Sequence, residues 1–90
     1  MSRTIKATNQ FKKDLKLMKR RHKDLDKLEY IVTLLADDML LPEECFDHNL
    51  KGKWINIKEC HIEANWLLIY RKVNSELILY RTGTHSDLFD

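Results

Sequence analysis

The sequence predicts an α+β fold, with two N-terminal helices packed on one face of a twisted, mainly antiparallel sheet in the order β-α-α-β-β-β. Three observations lead there. Two successive stretches between residues 9 and 38 carry helical apolar spacing, three strand-like runs with short polar breaks follow residue 53, and a brief strand-like segment precedes the first helix. Ninety residues leave room for one core, so residues 1–90 are expected to form a single domain.

The first strand is read over Thr4 to Ala7, ahead of the capping-type pair Thr8 and Asn9. From Asn9 to Arg21, Phe11, Leu15 and Met18 make one apolar stripe, and Lys12, Lys13, Lys16, Lys19 and Arg20 take the remaining surface. His22 falls in a short break. Asp24 and Asp26 restart a helix in the place where acids complement its dipole, and Leu25, Leu28, Ile31, Val32 and Leu35 line the buried side. The pattern stops near Asp38, with Pro42 expected to enforce the stop, and Met39 to Lys53 reads as a loop. Strands are expected at Trp54–Ile62, Trp66–Val73 and Glu76–Thr82, with turns at Ala64-Asn65 and Asn74-Ser75. The apolar start of the second run marks a central strand under the helices, which leaves the opposite face of the sheet for function. Gly83 is expected to turn the chain into a short tail, Thr84 to Asp90.

Composition narrows the function. With 43% hydrophobic and 33% charged residues, two glycines and one proline, the chain is neither collagen-like nor disordered. Its longest apolar run, Trp66 to Tyr70, is far short of the ~20 residues of a membrane span. The start Met-Ser-Arg-Thr-Ile-Lys has no secretory apolar stretch, and Cys45 and Cys60 read as two reduced thiols, so a cytoplasmic location is expected. Charge is segregated. Residues 1–30 hold ten Lys/Arg against four acids, residues 31–50 hold five acids and no Lys/Arg, and residues 51–90 hold six bases against five acids. The basic first third suits a polyanion or an acidic protein, and equally a plain solvated face.

The second half gathers groups suited to proton transfer. His48 lies in the loop, Glu59 and His61 leave one face of a strand, Arg81 ends the last strand, and His85 and Phe89 stand in the tail. Such a set can cleave RNA without a metal. A base takes the proton of the ribose 2′-hydroxyl, an acid protonates the departing 5′-oxygen, a guanidinium holds the phosphate, and a ring stacks on a splayed base. Each residue also has a plainer role. His48 could donate to a backbone carbonyl, Glu59 and His61 could be a cross-strand pair, and Arg81 with Glu76 could be edge-strand charges. His85 could be solvated, and Phe89 could anchor the terminus. A zinc site from His48, His61 and His85 has no recognised ligand spacing. Trp54, Trp66 and Tyr70 read as packing residues, and His22 as structural or solvent-facing.

The residues also carry a resemblance. Arg21-His22-Lys23-Asp24, Lys27-Leu28, Thr33-Leu34-Leu35, Asp47-His48-x-Leu50-x-Gly52-x-Trp54, His61-x-Glu63-x-x-Trp66-x-Leu68-Ile69-Tyr70 and Arg81-Thr82-Gly83-Thr84-His85-x-x-Leu88-Phe89 follow in order from about Ile5 to Phe89. In these the chain resembles the YafQ branch of the RelE/ParE superfamily of type II toxin–antitoxin toxins. The resemblance implies a RelE-like microbial ribonuclease architecture and a metal-independent, cofactor-free endoribonuclease (mRNA interferase). It implies His85 as the general acid, and His48 and His61 as sharers of base work and substrate orientation. Glu59 stands as base or orienter where a close member has aspartate, Arg81 as phosphate holder, and Phe89 as a substrate-binding ring. Glu63 receives no chemistry. Implied partners are messenger RNA, the ribosome, a cognate antitoxin and, through the antitoxin complex alone, operator DNA; no membrane is implied. A non-enzymatic ParE-like toxin or an RNA-binding module of the same fold is the alternative.

Overall fold

The computed structural model describes residues 2–49 and 57–89. The chain runs β1 (Thr4–Ala7), α1 (Asn9–Arg20), α2 (Leu25–Ala36), a 3-10 turn (Glu43–Cys45), β2 (His48–Asn49), β3 (Lys58–Glu63), β4 (Trp66–Val73), β5 (Glu76–Gly83) and α3 (His85–Phe89). The five strands form one sheet in the order β1-β5-β4-β3-β2, antiparallel except for the β1–β5 pair. The expected α+β class and the central position of Trp66–Val73 both hold.

Side-chain caps start the two long helices. The Thr8 hydroxyl accepts from the Phe11 N–H at 3.0 Å, and the Asp24 carboxylate from the Asp26 N–H at 3.1 Å. Both helices end in Schellman motifs closed by a left-handed residue, His22 at φ 60° and Asp38 at φ 56°. There the Lys23 N–H donates to the Met18 carbonyl, and the Met39 N–H to the Leu34 carbonyl. His22 is therefore structural and exposed, as expected, whereas α2 stops at its own cap, several residues before Pro42.

Phe11 and Met18 of α1 and Leu28, Ile31 and Leu35 of α2 pack on Cys60, Trp66, Leu68, Tyr70, Leu77 and Leu79 of the sheet, all at or below 5% exposure. This places Trp66 and Tyr70 in the core. Trp54, the other ring read as packing, lies outside the described residues, as does the start of the strand expected from Trp54. Leu67 and Ile69, alternating with these core residues on β4, are also buried, so the second face is not the wholly open surface expected from sequence. Among the described residues no helix is long and apolar enough to cross a membrane.

Three further expectations are corrected. His48 lies on a short strand, because β2 takes up the free edge of β3. The tail is a helical turn, α3, whose start Thr84 caps: the Asp87 N–H donates to the Thr84 hydroxyl at 3.2 Å, and the Thr84 N–H to the Asp87 carboxylate at 2.9 Å. Gly83 ends β5 instead of making a turn, and a Cβ there would meet the Asp87 Cβ at 2.9 Å. Close approach of α3 is what requires glycine.

Candidate active site

Strand register builds the site. Cross-strand partners share a face, and His48, Glu59, Ile69 and Arg81 form one row across β2, β3, β4 and β5. His61, Leu67 and Gly83 form the neighbouring row. Arg81 reaches its row only because Tyr80 is an extra residue opposite β4: Ile69 pairs with Arg81 while Tyr70 pairs with Leu79. Without that bulge the alternation set by Leu77 and Leu79 would carry Arg81 toward the core.

Four of the predicted residues converge. Glu59, His61 and His85 each bring a potential ligand atom within 4.8 Å of the other two, and the His61 and His85 ring centroids are 5.7 Å apart, edge to face. His48 Nε2 lies 3.0 Å from the Glu59 carboxylate, whose side chain is only 8% exposed. Glu59 and His61 do leave one face of the strand, and the cross-strand partner of Glu59 is His48.

Hydrogen bonds define which ring nitrogens face the site. His48 Nδ1 is 2.7 Å from the Phe46 carbonyl, which only accepts, so Nδ1 carries hydrogen. Nε2 then faces the Glu59 carboxylate oxygen, 3.0 Å away. The plainer reading of His48, donation to a backbone carbonyl, is thus true and positions it for the other. The Asn65 side-chain oxygen accepts the His85 N–H at 3.0 Å, so that oxygen also accepts from His85 Nδ1 at 2.7 Å. His85 Nε2 is left to the site. Asn65, read from sequence as a turn residue, thereby fixes the tautomer of His85.

Arg81 stands in the same row, but its guanidinium is engaged by a residue the sequence reading passed over. The buried Asp14 carboxylate of α1 accepts from Arg81 Nε at 2.7 Å, Arg81 Nη2 at 3.2 Å, the Thr82 N–H at 3.2 Å and Gln10 Nε2 at 3.0 Å. That contact lifts the Arg81 guanidinium further above its already high ordinary value. Glu76 pairs with Thr4 of β1 and so is no edge-strand charge, whereas Arg81 lies past the end of β1, where Asp14 of α1 covers the flank of β5. The signal for Asp14 was an acid on the apolar stripe, three residues after Phe11 and four before Met18. Phe89 is about half exposed on α3, four residues after His85 and so on the same side of the turn.

Two supports hold the site to the core. Asp47 accepts from the buried Tyr70 hydroxyl at 2.5 Å and from Lys58 Nζ at 2.9 Å, which fixes the entry to β2. Burial, and then Asp47, pushes the Tyr70 hydroxyl well above its ordinary value. On the other side Arg21 pairs with Asp87 at 2.6 Å and holds its carboxyl down at about 2. Both cysteines are buried, and burial pushes the Cys60 thiol far up, so neither is a nucleophile of this site. A cation would find its ligands in Glu59, His61 and His85, with Glu59 in the place given to His48 by the zinc grouping considered from sequence.

A histidine–carboxylate cluster on a RelE-like sheet is the equipment of a small toxin nuclease, and comparison with known proteins agrees on the class. Residues 3–90 match the family of bacterial toxins of type II toxin–antitoxin systems, YafQ, and the chain belongs to that family. It is 43% identical over 90 residues to the mRNA interferase toxin YafQ of Escherichia coli K12, covering 99% of this chain and 98% of that one. The crystal structure of the E. coli DinJ–YafQ toxin–antitoxin complex superposes with a TM-score of 0.92 at 42% identity, covering all of both chains. That of a metal-bound toxin from Helicobacter pylori does so with a TM-score of 0.92 at 37% identity over 97% of this chain and 99% of that one.

Proposed function

We propose that this chain is an endoribonuclease that cleaves messenger RNA by attack of a ribose 2′-hydroxyl on the adjoining phosphate. The observation that carries the reading is the meeting of Glu59, His61 and His85 within 4.8 Å, with His48 paired to Glu59. The Glu59–His48 pair and His61 share the work of removing the 2′-hydroxyl proton. The 2′-oxygen bonds to phosphorus, the bond to the 5′-oxygen breaks, and protonated His85 Nε2 delivers a proton to that leaving oxygen. The products are a 2′,3′-cyclic phosphate and a 5′-hydroxyl end. Arg81, anchored to Asp14 through Nε and Nη2, offers its remaining N–H groups to the non-bridging oxygens, where charge builds in the transition state, and Phe89 stacks on a neighbouring base.

Lys12, Lys13, Lys16 and Lys19 are exposed and give the outer side of α1 its affinity for phosphate, including that of ribosomal RNA. A cognate antitoxin, by analogy with the DinJ–YafQ complex, is the protein partner, and operator DNA is reached through that complex. The setting is the cytoplasm. The metal-bound relative supports a further property: a divalent ion that takes imidazole and carboxylate ligands, held by Glu59, His61 and His85, competes with the protons that catalysis uses.

Primer extension on a defined transcript, with and without ribosomes and in excess EDTA, tests the reading. The expected result is chelator-resistant cutting that H85A abolishes without unfolding. Cutting at an undiminished rate by H85A would remove that histidine from the mechanism, and loss of cutting in EDTA would make the cluster a metal centre. DNA damage with intact messenger RNA would point to a non-enzymatic toxin.

A further inference from the structure

Among the described residues, four non-glycine positions have positive φ: His22, Asp38, Phe46 and Asn74. Histidine, aspartate and asparagine tolerate the left-handed region, whereas a bulky aromatic there carries a backbone cost. Phe46, at φ 47° and ψ 54°, is also 67% exposed, so it recovers little of that cost by burial. Its ring sits instead over the histidines, with centroids 5.2 Å from His48 and 6.0 Å from His61, tilted 50° and 32° to them.

We infer that the Phe46 ring is a nucleobase platform, binding a base of the RNA strand on the His48 side of the scissile linkage. The inference rests on the nuclease reading. A ring standing free beside proton-transfer groups offers a π-face to any base, and stacking of this kind is tolerant of sequence. The 3-10 turn Glu43–Cys45 delivers the residue, and the Phe46 N–H donates to the Glu43 carbonyl at 3.0 Å. The Phe46 carbonyl holds His48 Nδ1, so backbone and side chain of one residue serve acid–base group and substrate together. Phe89 lies on α3, beyond His85, so two rings on different elements hold the strand at two points.

F46N, F46L and F46W are the test, assayed on a defined transcript with and without ribosomes beside wild type and H85A. Asparagine suits the left-handed backbone, so F46N is expected to melt at or above the wild-type temperature while its KM rises about tenfold or more. F46L keeps apolar bulk without a π-face and loses affinity likewise, whereas F46W retains it. Wild-type KM and cutting pattern in both F46N and F46L would overturn the platform. A fall in kcat alone, with a lowered melting temperature, would overturn it too and make Phe46 a support for His48. If wild type shows no His85-dependent cutting, the nuclease reading itself has failed, and the platform with it.

Discussion

Removing the Asp14 carboxylate is the most informative perturbation, because one buried side chain collects donors from two elements of the site. In D14A the Thr82 N–H, in a residue 1% exposed, loses an acceptor that water cannot replace. An unpaired buried donor costs about 1–3 kcal/mol. The Arg81 guanidinium loses two bonds, but its side chain is 33% exposed and re-solvates, so its share is discounted to about 1 kcal/mol. Together these come to roughly 2–4 kcal/mol. At about 4–8 °C per kcal/mol for a domain of this size, the melting temperature falls by roughly 8–32 °C. D14N, which keeps one acceptor oxygen, falls between D14A and wild type and stays folded at 25 °C. Thermal unfolding followed by circular dichroism reads the stability, and cleavage by folded D14N reports whether Arg81 is still aimed. A D14A melting temperature within about 3 °C of wild type would refute the assignment of Asp14 as the anchor of β5.

Other substitutions separate positioning from packing. N65A removes the acceptor of two His85 contacts and should lower kcat by about 10- to 100-fold, with KM and melting temperature nearly unchanged because Asn65 is exposed; equal kcat would show that the tautomer is held by something else. T82V leaves the Trp66 indole N–H and the Leu67 carbonyl without the buried hydroxyl that joins them and should cost roughly 2 kcal/mol or more in denaturant unfolding. The Arg21–Asp87 pair is pH-dependent. Asp87 titrates at about 2 when folded against an ordinary 3.8, so its stabilisation is complete above pH 4 and is lost as pH falls through about 2. Wild type should therefore melt above R21A at neutral pH, and the two should converge near pH 2.

Much of this was legible in the sequence because periodicity and capping are local. Phe11, Leu15 and Met18 announced α1, and the apolar run from Trp66 announced the central strand. What stayed hidden depends on pairing. The bulge at Tyr80 reverses the face of every residue after it, and nothing local in Glu76–Thr82 marks the change. β2 is two residues long and exists only because β3 offers it an edge, so His48 read as a loop residue. α3 did have a local signal, the Thr84-x-x-Asp87 capping box, hidden by treating Gly83 as a turn. The candidate site residues His48, Glu59, His61 and His85, which the fold brings together, stand out by chemical type and by resemblance. Among their supports Asp14 shows in the spacing, as an acid on the apolar stripe of α1, whereas Asn65 and Phe46 matter through the atoms they face, which no spacing reveals.

The parallel pairing of β1 with β5 ties the earliest strand of the chain to nearly the last. No fragment that stops short of residues 76–83 can close the sheet, for β1 then has nothing to lie against and the carboxylate of Asp14 nothing to receive. Closure by such distant segments is slow and cooperative. The His61–His85 contact therefore waits on β5, which leads directly into α3, whereas the His48–Glu59 pair needs only β2 and β3.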